Sequence, residues 1–89
     1  MNVFVTGANR GIGLEFVRQL TTRGKTVLAS CRHPEKANDL KSLLSEGWII
    51  PMDVTIQDSI VQGAKVVRKK FNRIDLLINN PGVIGERGN

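Results

Sequence analysis

The chain alternates short apolar runs with longer segments in which apolar residues recur every three or four positions. Val3, Phe4 and Val5 form the first run, and Ile12, Phe16, Val17 and Leu20 follow at helical spacing. A strand therefore opens the chain and leads into a helix that ends near Gly24. A second strand is expected over about Thr26 to Ser30. Pro34 then suits the first turn of a helix reaching to about Gly47, with Ala37, Leu40, Leu43 and Leu44 on its apolar side. A third strand is expected over Trp48 to Met52. Thr55 and Asp58 stand at capping-box spacing ahead of a third helix that runs to about Asn72, with Ile60, Ala64, Val67 and Phe71 as its apolar stripe. A fourth strand, Asp75 to Ile78, leads into the glycine-rich segment NNPGVIGERGN.

The order is thus β-α-β-α-β-α-β, which is the pattern of a parallel sheet joined by right-handed crossovers. The expected fold class is α/β: half of a doubly wound sheet of about four strands in the order 3-2-1-4, with about three helices. No repeat, low-complexity tract or internal linker interrupts it.

Composition narrows the setting. The chain has 89 residues, 40% of them hydrophobic, and no apolar run of about 18 residues that would cross a bilayer. Its start lacks the basic segment, apolar stretch and small-residue cleavage site of a secretory signal. Cys31 is the single cysteine, so no internal disulfide forms, and a reducing cytoplasm is the expected location. The net charge is +5, concentrated in Lys65, Arg68, Lys69, Lys70 and Arg73. These residues fall mostly on the solvated side of the third helix. No helix-turn-helix, zinc or aromatic-platform pattern accompanies them, so nucleic acid is not the favoured partner.

The candidate chemistry lies in VTGANRGIGLEF, where Gly7, Gly11 and Gly13 occupy a strand-to-helix turn. Gly7 allows a tight turn, Gly11 lets the backbone approach a pyrophosphate, and Gly13 lets the helix pack closely on the sheet. The helix start supplies unpaired N–H groups and a partial positive charge that favour phosphate. The ligand implied is a dinucleotide; the plainer alternative is that the glycines only make the turn.

TGANRGIG resembles the cofactor-binding motif of the short-chain dehydrogenase/reductase family, and MDV after the third strand and NNPG after the fourth resemble two further motifs of that family. The likeness covers all 89 residues, and is nearest in flavour to the sniffer-like carbonyl reductases and C-factor-like proteins. It implies a Rossmann-type, cofactor-binding N-terminal part of an oxidoreductase acting on carbonyl or alcohol substrates, with the catalytic half absent. It also implies cofactor contacts from Gly7, Asn9, Arg10, Gly11, Ile12 and Gly13 in the glycine turn. Asp53 corresponds to an acid that bonds the adenine amino group, or else it only caps the next helix with Thr55. Val54 is expected beside the adenine ring, Asn79 on the adenine-ribose side, and Asn80 and Gly82 in the turn beneath. Pro81 departs from the family's usual alanine and removes a backbone N–H.

Cofactor preference follows from charge. A carboxylate at the end of the second strand would select NAD(H) by bonding the ribose hydroxyls. Ser30, Cys31 and Arg32 stand there instead. Arg32 from one side and Arg10 from the other are placed to hold a 2′-phosphate, so NADP(H) is expected over NAD(H), unless both arginines are ordinary surface charges. Two nearby arginines would also lower the Cys31 pKa, although a small residue at a strand end is the simpler reading. His33, the single histidine, has no second ligand at metal spacing, so no metal site is expected.

In the family that the chain resembles, hydride transfer uses a serine and a Tyr-x-x-x-Lys pair. This chain contains no tyrosine, so no catalytic residue is nominated and the chain is expected to be inactive by itself. The alternative is a non-catalytic nucleotide-binding or dimerisation module. In either case the apolar fourth strand is an expected edge for self-association or for a partner chain.

Overall fold

The computed structural model describes residues 1–79. Four strands form one sheet: β1 (Asn2–Thr6), β2 (Thr26–Cys31), β3 (Ile49–Pro51) and β4 (Leu76–Asn79). They are joined by α1 (Gly11–Thr22), α2 (Asn38–Lys41) and α3 (Gln57–Lys70). Every pairing is parallel and the order is β3-β2-β1-β4, the order expected from the alternating pattern. Phe4 lies beside Leu28 on one side and Leu77 on the other, so β1 is central.

Side chains alternate across this sheet because successive strand residues point to opposite faces. Val3, Val5, Val27, Ala29 and Ile49 share one face with Val17 of α1 and Leu40 of α2. Phe4, Leu28, Ile50 and Met52 share the other face with Val67 of α3 and with Phe71. Continuous apolar strands such as VFV and VLA are what a parallel sheet covered on both faces requires.

The helices differ from expectation in instructive ways. The core-facing residues of α1 are Gly13 and Val17, flanked by Leu14 and Leu20, whereas Ile12 is 70% exposed and Phe16 is 42% exposed. Gly13 turns this stripe toward the sheet, since a position without a side chain allows the closest approach. In α3 the buried pair is Gly63 and Val67, and Ile60 and Ala64 are exposed. A Cβ on Gly63 would meet the methyl group of Met52. The backbone of α3 therefore packs where a larger stripe was expected.

The second crossover is not one helix from Pro34 to Gly47. Pro34–Lys36 is a single 3-10 turn, α2 is four residues long, and Glu46–Trp48 forms another 3-10 turn. Ser42 ends α2 by donating its hydroxyl to the Asp39 carbonyl at 2.7 Å, and the Leu43 N–H tightens to Leu40 O at 2.9 Å. Serine competes with the helix for backbone groups in this way. Trp48 leaves the third strand to pack against Phe71, the rings tilted by 48° with centroids 5.8 Å apart and Lys70 Nζ 4.7 Å from the indole centroid. That contact also ends α3 at Lys70, because Phe71 turns extended and is buried.

The expected capping box at Thr55 and Asp58 does not form. Thr55 instead donates its N–H and its hydroxyl to Asp53 Oδ1 at 2.9 and 2.6 Å, and α3 starts two residues later. The basic residues Lys65, Arg68 and Lys69 do lie on the exposed side of α3. Three cations in its last turn, Arg68, Lys69 and Lys70, complement the negative end of the helix.

At the opposite end of the sheet Asp75 ties β4 to β1. Its Oδ2 accepts the Asn2 N–H at 2.7 Å, its Oδ1 accepts from Arg73 Nε at 3.0 Å, and its own N–H donates to Asn2 O at 2.9 Å. The Asn2 N–H, and then Arg73, hold the Asp75 carboxyl below its usual range. A lowered folded-state pKa means that this contribution is present above the unfolded value of about 3.9 and is lost as pH falls through the folded value. Asp75→Asn should therefore be less stable than the parent at neutral pH, with the difference closing below about pH 4, as read from urea midpoints across pH.

Candidate functional site

Three hydrogen bonds gather the C-terminal ends of the strands. Ala8, in the glycine turn, donates its N–H to Ser30 O at 3.0 Å, and Met52 donates to Cys31 O at 2.9 Å. Thr6 donates its hydroxyl to Asn79 Oδ1 at 2.9 Å. The loops that follow β1, β2 and β3 thereby surround one cleft of about 650 Å³. Its position is the point where strand order reverses, with β2 to one side of β1 and β4 to the other.

The glycine turn forms one wall. Gly7 and Gly11 have φ of 59° and 63°, in the left-handed region that favours glycine. A Cβ added to Gly11 would meet nothing within 4 Å, so the residue lies against open space in the cleft. Arg10 is the N-cap of α1, extended at φ −166°, and makes no side-chain cap. No acid lies in the first turn of this helix, so its positive end faces the cleft uncompensated by a carboxylate.

The second wall comes from the end of β2. Ser30 is 1% exposed and Cys31 is 2% exposed, so Arg32 is the first residue there whose side chain reaches solvent. Burial raises the Cys31 thiol pKa, more than the His33 N–H lowers it. An activated thiolate at Cys31 is therefore set aside: the thiol is a buried strand residue. His33 is exposed, 3.6 Å from Glu35 through Nδ1, and does not cap the following turn. Lys36 joins this wall, a contribution the sequence reading did not identify.

The third wall is Met52 to Thr55. Asp53 accepts both Thr55 bonds on one oxygen, and its N–H donates to Ser59 Oγ at 2.7 Å. The Thr55 bonds hold its carboxyl below the usual range against a desolvation penalty, with the Arg32 and His33 charges adding to the effect. Asp53 and Arg32 thus both line the cleft, and Asp53 is its one carboxylate among the described residues.

Of the residues proposed from sequence, Gly7, Asn9, Arg10, Gly11, Ile12, Arg32, Asp53 and Val54 lie around this one cleft. Gly13 is buried beneath it in the α1 packing. Asn79 lies apart, braced to Thr6, in an adjoining groove of about 560 Å³ that shares Met52 and Val54 with the cleft. Asn80, Pro81 and Gly82 lie outside the described residues. Among the described residues no cluster of histidine, cysteine or carboxylate side chains would hold a metal ion, and no helix is long and apolar enough to cross a membrane.

A parallel sheet in this order with a glycine turn at the switch point is the architecture of the doubly wound dinucleotide-binding folds. The short chain dehydrogenase family model matches residues 1–89, and the chain belongs to that family. Oxidoreductase BOA17 of Botryotinia fuckeliana is 36% identical over 81 residues, a match covering 89% of this chain and 30% of that protein. Among solved structures, Sniffer of Caenorhabditis elegans, to which a carbonyl reductase activity is ascribed, superposes with a TM-score of 0.84 at 38% identity, covering 93% of this chain and 37% of its own. A metagenomic short-chain oxidoreductase in complex with NADP gives 0.78 at 32% identity, covering 93% of this chain and 39% of its own. The chain therefore spans about a third of the length of the relatives it matches.

Gly11→Ala should lower stability by about 1–2 kcal/mol through backbone strain alone, as measured by urea unfolding. The same methyl group would narrow the cleft, so nucleotide affinity measured by calorimetry should fall as well.

Proposed function

We propose that this chain is the NADP(H)-binding N-terminal part of a short-chain oxidoreductase acting on carbonyl or alcohol substrates. The observation that carries the reading is the β2 terminus: Ser30 and Cys31 are buried and the exposed Arg32 lines the cleft, where an NAD-selecting carboxylate would stand. Arg10 borders the same cleft from the glycine turn, and a neighbour of this fold is complexed with NADP.

The residues present fit the adenosine half of such a cofactor. The glycine turn and the start of α1 would hold its diphosphate, Arg32 and Arg10 the 2′-phosphate, and Asp53 and Val54 the adenine. The bound nicotinamide supplies hydride. The 89 residues contain no tyrosine for the accompanying proton, so these residues bind cofactor and are inactive without further catalytic groups.

A calorimetric titration with NADPH and with NADH at one salt concentration tests the reading. If Arg32 contributes about 1.5–3 kcal/mol, NADPH should bind roughly tenfold to a hundredfold more tightly, or somewhat more, and Arg32→Ala should remove most of that difference. An Arg32→Ala variant that keeps the whole preference refutes the assignment.

A second reading, an assembling module, draws on β4. This strand carries Leu76 and Ile78 toward one face and Leu77 toward the other, yet Leu76 is 40% exposed and Leu77 is 57% exposed at the outer edge of the sheet. A strand apolar on both faces is written for a central position, and its unpaired edge recruits another strand. A lone copy should therefore self-associate in sedimentation, and Leu77→Lys should shift it toward monomer. A stable, strictly monomeric parent chain would overturn the module.

A further inference from the structure

Among the described residues, Met52 is the one buried side chain that borders both the cleft and the adjoining apolar groove. Its backbone is fixed to β2, where its N–H donates to Cys31 O at 2.9 Å. Its side chain lies on the α3 face of the sheet, in the core cluster that holds Ile50, Val67 and Phe71.

Helix α3 meets this strand end at two positions one turn apart. Ser59 Oγ accepts the Asp53 N–H at 2.7 Å, and Gly63, on the same side of the helix, is buried against the Met52 side chain. A Cβ at position 63 would stand at ordinary contact from Met52 Cγ and Sδ, at 3.5 and 3.6 Å, but would overlap the Met52 methyl carbon. The place of a side chain at position 63 is therefore taken by that methyl group.

Methionine is unbranched and flexible, so an intruding group displaces the end of its side chain and not its root. The direction of that displacement is set by α3. The groove has Ile60, Ala64 and Val67 of this helix in its wall, whereas no residue of α3 lines the cleft. A methyl group pushed away from α3 therefore moves toward the cleft, where Asp53 and Val54 follow Met52 directly in the wall.

We infer that Gly63 is a positioning residue for the cleft: by seating the Met52 methyl against α3, it keeps the space beside Asp53 and Val54 clear for a nucleotide base. The inference rests on the adenosine reading of the cleft proposed above. It gives a part in binding to a residue that itself lies outside the cleft.

The test is a double-mutant cycle of Gly63→Ala and Met52→Leu, with affinities for NADPH and adenosine 2′,5′-bisphosphate measured by calorimetry and stability by urea unfolding. Leucine has no atom in the place of the methionine methyl. In the parent background Gly63→Ala should weaken both ligands roughly tenfold, the scale on which an apolar site registers one methyl-sized group. Its urea midpoint should stay at or above the parent's, because alanine is the better helix residue. In the Met52→Leu background the same substitution should change affinity by less than about twofold. Undiminished affinity in Gly63→Ala, a loss that persists in full beside Met52→Leu, or a loss matched by a collapse of the urea midpoint overturns the role of Gly63 while the parent's binding stands. A parent that binds neither ligand overturns the adenosine reading of the cleft, and the inference with it.

Discussion

The site depends on the central position of β1. Because β2 pairs on one side of it and β4 on the other, the crossovers diverge at its C-terminal end and leave a cleft there among the described residues. The glycine turn is the chain's way out of that cleft. Its placement is fixed by one backbone bond, Ala8 N–H to Ser30 O at 3.0 Å, which keeps the turn level with the end of β2. Without this link the glycine wall and the arginine wall would be separate loops. With it they form two sides of one rigid cleft.

Polarity divides the switch region into two compartments. On the glycine side the surfaces are charged or backbone-lined, with Arg10, Arg32 and Lys36 set against Asp53. On the α3 side, past Met52 and Val54, Phe4, Ile60, Ile74 and Leu77 line a mostly apolar groove. The two compartments use the same strand ends but suit different occupants: an anion in the first, and apolar side chains in the second. Asn79 belongs to the second, where its bond to Thr6 holds β4 level with β1.

Most of the fold was legible because it is written in periodicity. Runs such as VFV, VLA and LLI read as strands joined by crossovers, and the order 3-2-1-4 expected for half of a doubly wound sheet is the one observed. Local chemistry was harder to read. Pro34, Leu40, Leu43 and Leu44 fit a helix and a broken turn equally well, because both bury leucines at similar intervals; the hydroxyl of Ser42 decided between them. Thr55 and Asp58 matched a cap, but Asp53, two residues before Thr55, claimed both threonine donors first. The glycine turn, Arg32 and Asp53 stood out in the sequence because each follows a strand directly. Lys36 did not, since its place on the cleft depends on a turn whose form the spacing leaves open.

The bond from Asn2 to Asp75 joins residues 73 positions apart. β1, the first strand to be made, acquires its second neighbour only when the chain has reached Asn79. Until then one of its edges is bare, and the closing of so long a loop is a slow, entropically opposed event. The strand on which the whole architecture is centred thus owes its second edge to the last described strand, and a chain interrupted before Leu76 would present β1, rather than β4, as its sticky edge.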